Sequence, residues 1–213
     1  MFDDLLRALK DRLLHPVALA VGRVISPNAL TWLAALVGVG AAAAAATQQY
    51  TLAVGCWIVN RVLDGLDGSV ARATSRQTDL GGYLDIVLDF VVYAAIPLGL
   101  VLGSGDRAVA VAGVALVGSF FVNGASWMYL AAILERRGHG VAATGERTSV
   151  TMPPGLVAGA ETVVFVTLFL LFPAHLVLLF LLMTAGVMVN VVLRLAWTYR
   201  RLEGTGTNPA PHV

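Results

Sequence analysis

The sequence predicts an all-α fold: a polytopic membrane protein with six transmembrane helices and an N-terminal amphipathic helix at the interface. Three observations lead there. Of 213 residues, 58% are hydrophobic and only 13% are charged, whereas a soluble domain carries about 25% charged residues. Long stretches hold no charge at all, notably between Arg23 and Arg61 and from Ala108 to Leu134. The basic residues fall almost entirely on one side of the predicted spans. A formal net charge of +1 gives no reason to expect a nucleic-acid partner. The single cysteine, Cys56, excludes a disulfide framework within one chain and a thiolate metal site. It reads as a small buried hydrophobe.

The elements follow in chain order. "MFDDLLRALKDRLLHPVALAVGRV" mixes acids with bases and lacks a continuous apolar region, so no cleavable signal peptide is expected. Phe2, Leu5, Leu6, Leu9 and Leu13 recur at helical spacing, with Arg7, Lys10 and Arg12 turned to headgroups. An ordinary helix packed on the membrane part would show the same spacing. A span needs roughly 20 apolar residues. The first is expected over about Ala29–Thr47, and the second from Tyr50 into "LDGLDGSVAR" at 63–72. The third is expected over Leu80–Leu102, the fourth over Ala108–Leu134 and the fifth over Gly155–Phe172. Pro173 and His175 mark a tight turn before the sixth, Leu176–Trp197. The alanine run at 41–46 is helical, and its small side chains let a neighbouring helix approach closely. The expected organisation is an interfacial helix over 1–24, a six-helix transmembrane domain over 25–202 and a cytoplasmic tail over 203–213.

Charge sets the orientation. Arg7, Lys10, Arg12 and Arg23 precede the first span, and Arg72 and Arg76 follow the second. Arg136, Arg137 and Arg147 lie between the fourth and fifth, and Arg200 and Arg201 follow the sixth. The opposite loops hold only Arg107. Both termini and the aspartate end of the second span are thus expected in the cytoplasm.

Four aspartates stand where carboxylates are expensive. Asp64 and Asp67 are three apart and share one face of the second helix; Asp85 and Asp89 are four apart and share one face of the third. A charged residue at a span's centre costs about 2.5 to 3.5 kcal/mol, and less near its ends. Stability gives no reason for four of them. A short turn makes the two helices antiparallel neighbours, so the carboxylates can converge. Packed together they cannot all stay ionised without a cation. Hard oxygen donors select Mg²⁺, Mn²⁺ or Ca²⁺, and such metals beside a basic residue grip a diphosphate. Gly68 and Ala71 lie one turn beyond Asp64 and Asp67, leaving room for a ligand or for tight helix packing. Arg72 can reach a phosphate.

Asp64, Asp67, Gly68, Ala71 and Arg72, then eight residues, then Gly81, Asp85 and Asp89 resemble the complete signature of the CDP-alcohol phosphatidyltransferase family. All eight positions carry the family's spacing. The resemblance implies a transferase that displaces CMP from a CDP-linked lipid, usually CDP-diacylglycerol, by the hydroxyl of a small polar alcohol. It implies two divalent cations, Mg²⁺ or Mn²⁺, held by Asp64, Asp67 and Asp85, with Asp89 as general base and possible further ligand. It implies a nucleotide site at Gly68, Ala71, Arg72 and Gly81. "SPNALT" also resembles the family and places Asn28 and Thr31 in the CDP pocket, although Pro27-Asn28 equally reads as a helix start. A homodimer in the bacterial inner membrane is implied as well.

The acceptor is less determined. "DIVLDFVVY" departs from the Asp-Pro-x-Ala-Asp-Lys continuation of phosphatidylglycerophosphate synthases. The helices that the eukaryotic choline and ethanolamine enzymes add are absent. Enzymes acting on inositol phosphate hold the acceptor phosphate with basic residues, and Arg147 and Arg194 can take two of those places. The fourth span offers no lysine; Arg136 and Arg137 could substitute, or simply obey the positive-inside pattern. Glu161 could bind an amino alcohol such as serine, or pair with an arginine. His15, His139, His175 and His212 show no ligand spacing. An aspartate-rich membrane prenyltransferase is one alternative, but its motifs lie farther apart on a longer chain. A cation transporter is the other, and it leaves Gly68, Ala71 and Arg72 without a purpose.

Overall fold

A computed structural model describes residues 15–138 and 159–203. Among them every regular element is helical. After a helical stretch over 15–22 come α1 (Pro27–Ala46), α2 (Tyr50–Ala73), α3 (Asp79–Ser104), α4 (Arg107–Arg136), α5 (Gly159–Leu171) and α6 (Leu176–Glu203). A 3₁₀ turn, Pro173–His175, joins the last two. The ends of α1, α3 and α4 and the C-terminal end of α5 fall within two residues of those expected, and α6 continues six residues past Trp197. The residues of the proposed N-terminal amphipathic pattern up to Leu13, and those at 155–158, lie outside the described residues.

Local sequence explains the boundaries. Ser26 caps α1 by accepting from the Ala29 amide at 3.3 Å, with Pro27 in the first turn. Thr78 caps α3 by accepting from the Gly81 amide at 3.0 Å, and Asp79 favours the positive end of the helix. Between α2 and α3, Ser75 adopts φ 53° to reverse the chain. Gly105, at φ 64°, ends α3 in the left-handed conformation that glycine adopts without strain.

Four helical segments are long and apolar enough to cross a membrane: Pro27–Ala46, Asp79–Ser104, Arg107–Arg136 and Pro173–Arg200. Large apolar side chains such as Leu36, Val114 and Phe121 stand exposed on them, as on a surface solvated by lipid. This is an integral membrane protein. The 24-residue α2 interrupts its apolar run with Arg61, Asp64, Asp67 and Arg72.

The chain divides into two compact units, Met1–Ala110 with Val166–Leu176, and Val111–Phe165 with Val177–Val213. In the first, α1 packs along both α2 and α3. Its seam with α3 is made of small residues. A Cβ on Gly99 would collide with the Ala42 carbonyl, and one on Gly103 with the carbonyls of Ala45 and Ala46. The alanine run thus lets two backbones touch. At the other end of α1, Ala18, Leu30 and Val70 form a buried cluster flanked by Val21, Leu63 and Leu66. This fixes the 15–22 stretch against the ends of α1 and α2.

Gly99→Leu is therefore expected to separate α1 from α3. Overpacking costs about 1 to 3 kcal/mol, and more where backbone must move. The detergent-solubilised variant should unfold several degrees below the parent in a thermal scan. An unchanged midpoint would contradict this seam.

Candidate active site

The carboxylates lie where α2 ends and α3 begins. Asp67 is the most enclosed, at 5% exposure; Asp64 and Asp89 are half-buried and Asp85 is exposed. Asp64 is within electrostatic reach of Asp67, Asp85 and Asp89. Antiparallel helices joined by a short turn bring together four residues spread over 26 positions. Among the described residues, no group of three or more acidic, histidine or cysteine side chains is placed so that it could hold a metal ion as it stands. What the structure brings together is a concentration of hard oxygen donors, and this donor set suits a divalent cation of the Mg²⁺ or Mn²⁺ type.

Asp67 is oriented by α1. Thr31 donates its hydroxyl to Asp67 Oδ2 at 2.6 Å, a buried contact between residues 36 apart in sequence. The Gly68 amide donates to the other oxygen, Oδ1. Thr31, expected to line the nucleotide pocket with Asn28, thus also contacts one of the four aspartates. Asn28, one turn earlier, stands against Gly81: a Cβ there would lie 3.2 Å from the Asn28 carboxamide oxygen. The Arg72 guanidinium lies across Gly68, with Nη1 3.1 Å from where a Cβ would sit, and Nη2 donates to Ser69 at 3.4 Å. Asn28, Thr31, Gly68, Arg72 and Gly81 thus gather at the turn end of α2 and α3, and Ala71 occupies the same last turn of α2.

Sequence reasoning missed Arg61. It stands one turn before Asp64 and donates to Asp89 Oδ1 at 2.8 Å, with Asp64 Oδ2 3.5 Å away. A cation three residues from a membrane aspartate is itself costly, and that signal was present in the spacing. Trp57 and Tyr93, one turn away on α2 and α3, pack on it.

The second unit holds the remaining candidates. Arg194 is buried within α6 at 7% exposure. Its Nη1 donates to the Asn123 carboxamide at 3.0 Å and to Ser126 at 3.3 Å, both on α4, while its buried Nε has no partner among the described residues. Glu161 is exposed in the first turn of α5, where a carboxylate favours the helix end. Arg136 closes α4, the matching place for a cation. Arg147 lies outside the described residues.

The family profile of CDP-alcohol phosphatidyltransferase matches residues 24–197. The chain belongs to the CDP-alcohol phosphatidyltransferase family, the membrane transferases of phospholipid synthesis. It is 38% identical to the Escherichia coli inner membrane protein YnjF over 70% of this chain and 71% of that protein. It is 36% identical to archaetidylinositol phosphate synthase of Pyrococcus horikoshii over 46% of this chain and 52% of that one. The fold is shared with phosphatidylinositol phosphate synthase of Mycobacterium tuberculosis. With CDP-DAG bound, that structure covers 87% of this chain and 92% of its own, at TM-score 0.68 and 22% identity. In complex with manganese and citrate it covers 86% and 88%, at 0.68 and 21%.

Proposed function

We propose that this protein transfers a phosphatidyl group from CDP-diacylglycerol to the hydroxyl of a small polar alcohol and releases CMP. The observation that carries this reading is the gathering of the eight signature residues on the adjoining ends of α2 and α3, with Asp64 in electrostatic reach of Asp67, Asp85 and Asp89. Asp64, Asp67 and Asp85 would hold two divalent cations, Mg²⁺ or Mn²⁺, and Asp89 can share in them. Bound there, such ions neutralise charge on the diphosphate and on the leaving CMP.

The chain's own groups do the rest. Asn28, Gly68, Ala71, Arg72 and Gly81 line the nucleotide end, where absent or small side chains leave room for the cytidine and Arg72 meets a phosphate. Thr31 keeps Asp67 turned toward the diphosphate. Asp89 accepts the proton of the acceptor hydroxyl as its oxygen attacks the phosphorus that carries the diacylglycerol. The bond from that phosphorus to the CMP oxygen breaks, and CMP leaves with the electron pair.

For the acceptor we favour a phosphorylated polyol, such as inositol phosphate or glycerol phosphate. The buried Arg194, whose Nε has no partner among the described residues, supports an anion-binding role, which Arg147 would share. The inositol-phosphate chemistry in the names of the Pyrococcus and Mycobacterium proteins points the same way. The same reading places six spans in the inner membrane, with an interfacial helix over 1–24, a catalytic domain over 25–202 and a tail over 203–213. Both termini and the site face the cytoplasm, and the protein assembles as a homodimer.

The test is CMP release by purified protein with CDP-diacylglycerol and Mg²⁺ or Mn²⁺, across inositol phosphate, glycerol phosphate, serine, inositol, choline and ethanolamine. Metal-dependent release is expected with a phosphorylated polyol. Release with serine alone would replace Arg194 by Glu161 as the acceptor contact. No metal-dependent release with any acceptor, together with no CDP-diacylglycerol binding, would overturn the reading.

A further inference from the structure

Arg61 is held from several directions, and the transfer scheme above gives it no task. Its Nε donates to Asn60 at 2.8 Å, Nη1 to the Tyr93 hydroxyl at 2.9 Å and Nη2 to Asp89 Oδ1 at 2.8 Å. The guanidinium carbon stands 4.6 Å from the centre of the Trp57 ring and 5.2 Å from that of Tyr93. The two rings meet edge to face. Each tether is itself anchored. Asn60 donates to the Ala34 carbonyl of α1 at 2.7 Å, and Trp57 to Thr167 of α5 at 2.9 Å. A guanidinium fork held in this way is a fixed direction as well as a charge.

Its place along the helix says what it can act on. Arg61 lies eleven residues from Arg72, about 16 Å along an α-helix. It is on the far side of the carboxylates from the nucleotide end, too distant to share one diphosphate with Arg72. Its reach is to Asp89 and Asp64.

We propose that Arg61 is a positioning residue of the transfer reaction: by engaging Asp89 Oδ1, it fixes that carboxylate with its other oxygen toward the acceptor hydroxyl. The Trp57–Tyr93 pair holds the fork in plane, and the contact to Asp64 keeps the two carboxylates in register across α2 and α3. This inference rests on the assignment of Asp89 as the base. A plain counter-ion would neutralise charge from any direction and would need neither the aromatic pair nor the anchor on α1.

The experiment compares Arg61→Ala, Arg61→Lys, Asp89→Asn and the double variant Arg61→Ala/Asp89→Asn in metal-dependent CMP release and in CDP-diacylglycerol binding. Arg61→Ala should lower kcat about 100-fold with the KM for CDP-diacylglycerol changed less than threefold, a loss within the range of general-base catalysis. Millimolar methylguanidinium should restore part of the rate, and Arg61→Lys should restore little, because an ammonium carries the charge without the fork. In the Asp89→Asn background, removing Arg61 should cost little more, as expected of residues acting as one unit. If Arg61→Ala does not fold, Tyr93→Phe takes its place. It keeps the ring and drops the hydroxyl tether, and should lower kcat several-fold without weakening lipid binding. Full kcat in Arg61→Ala or Tyr93→Phe, full rescue by lysine, or additive losses in the double variant would overturn the proposal. If Asp89→Asn alone kept its rate, the base assignment would fall by itself, independently of what Arg61→Ala did.

Discussion

Asp89→Asn is expected to keep CDP-diacylglycerol binding and lose turnover. The substitution preserves shape and leaves an oxygen able to accept from Arg61 Nη2, now 2.8 Å from Oδ1. What it removes is basicity. A positioned general base contributes about 10²- to 10⁴-fold, so CMP release should fall by that factor. Asp64, Asp67 and Asp85, the proposed cation ligands, remain, and lipid binding should stay within a few-fold of the parent. Arg61 loses the charge of its closest carboxylate, with Asp64 at 3.5 Å left to face it. A thermal scan should accompany the rate, since an unbalanced cation costs stability. A folded variant that released CMP at a near-normal rate would remove Asp89 from the base role.

Asp67→Ala should fail one step earlier, at binding. Asp67 is the most enclosed of the four carboxylates and the one gripped by α1 through Thr31. Deleting it removes a donor that cannot be replaced by rotation of Asp85, which is exposed on another helix. The Thr31 hydroxyl is not orphaned, because it also contacts the Pro27 carbonyl at 3.1 Å. The helices should therefore still pack. Groups that merely orient a metal's ligands typically contribute 10- to 100-fold, so loss of Asp67, a proposed ligand, should weaken metal-dependent CDP-diacylglycerol binding by at least that much. Titration with Mn²⁺ at fixed lipid would measure it. Binding that kept its metal dependence would exclude Asp67 from the ligand set.

Much of this architecture is legible in the sequence because lipid enforces simple rules. Apolar stretches bounded by charge become helices, and Ser26-Pro27 and Thr78-Asp79 carry their own start signals. The carboxylate pairs at spacings of three and four fix which helix faces meet. Three features were not legible. Thr31 bonds to Asp67 across 36 residues, and only the packing of α1 on α2 determines that contact. Arg61 is visible as a charge in an apolar segment, but its direction depends on Tyr93 and Asp89 of another helix. The partnership of Arg194 with Asn123 and Ser126 joins residues about 70 apart, and no local spacing encodes it.

The contact of Gly99 and Gly103 with the carbonyls of Ala42, Ala45 and Ala46 carries a consequence for how this sequence can drift. Asp89 sits ten residues from Gly99, about 15 Å along α3, with Pro97 inside the helix between them. A wedge at the glycine end is therefore expected to shift the path of α3 toward the carboxylate end without touching it. The alanine tract, compositionally the plainest part of the chain, is a gauge for the distance between α1 and the aspartates. Changes on its two sides are bound to occur in pairs: a side chain gained at Gly99 is tolerated only if the facing backbone withdraws. Selection for revertants of Gly99→Ala should therefore return changes in α1, more than 50 residues away in the chain, before any in the aspartate motif.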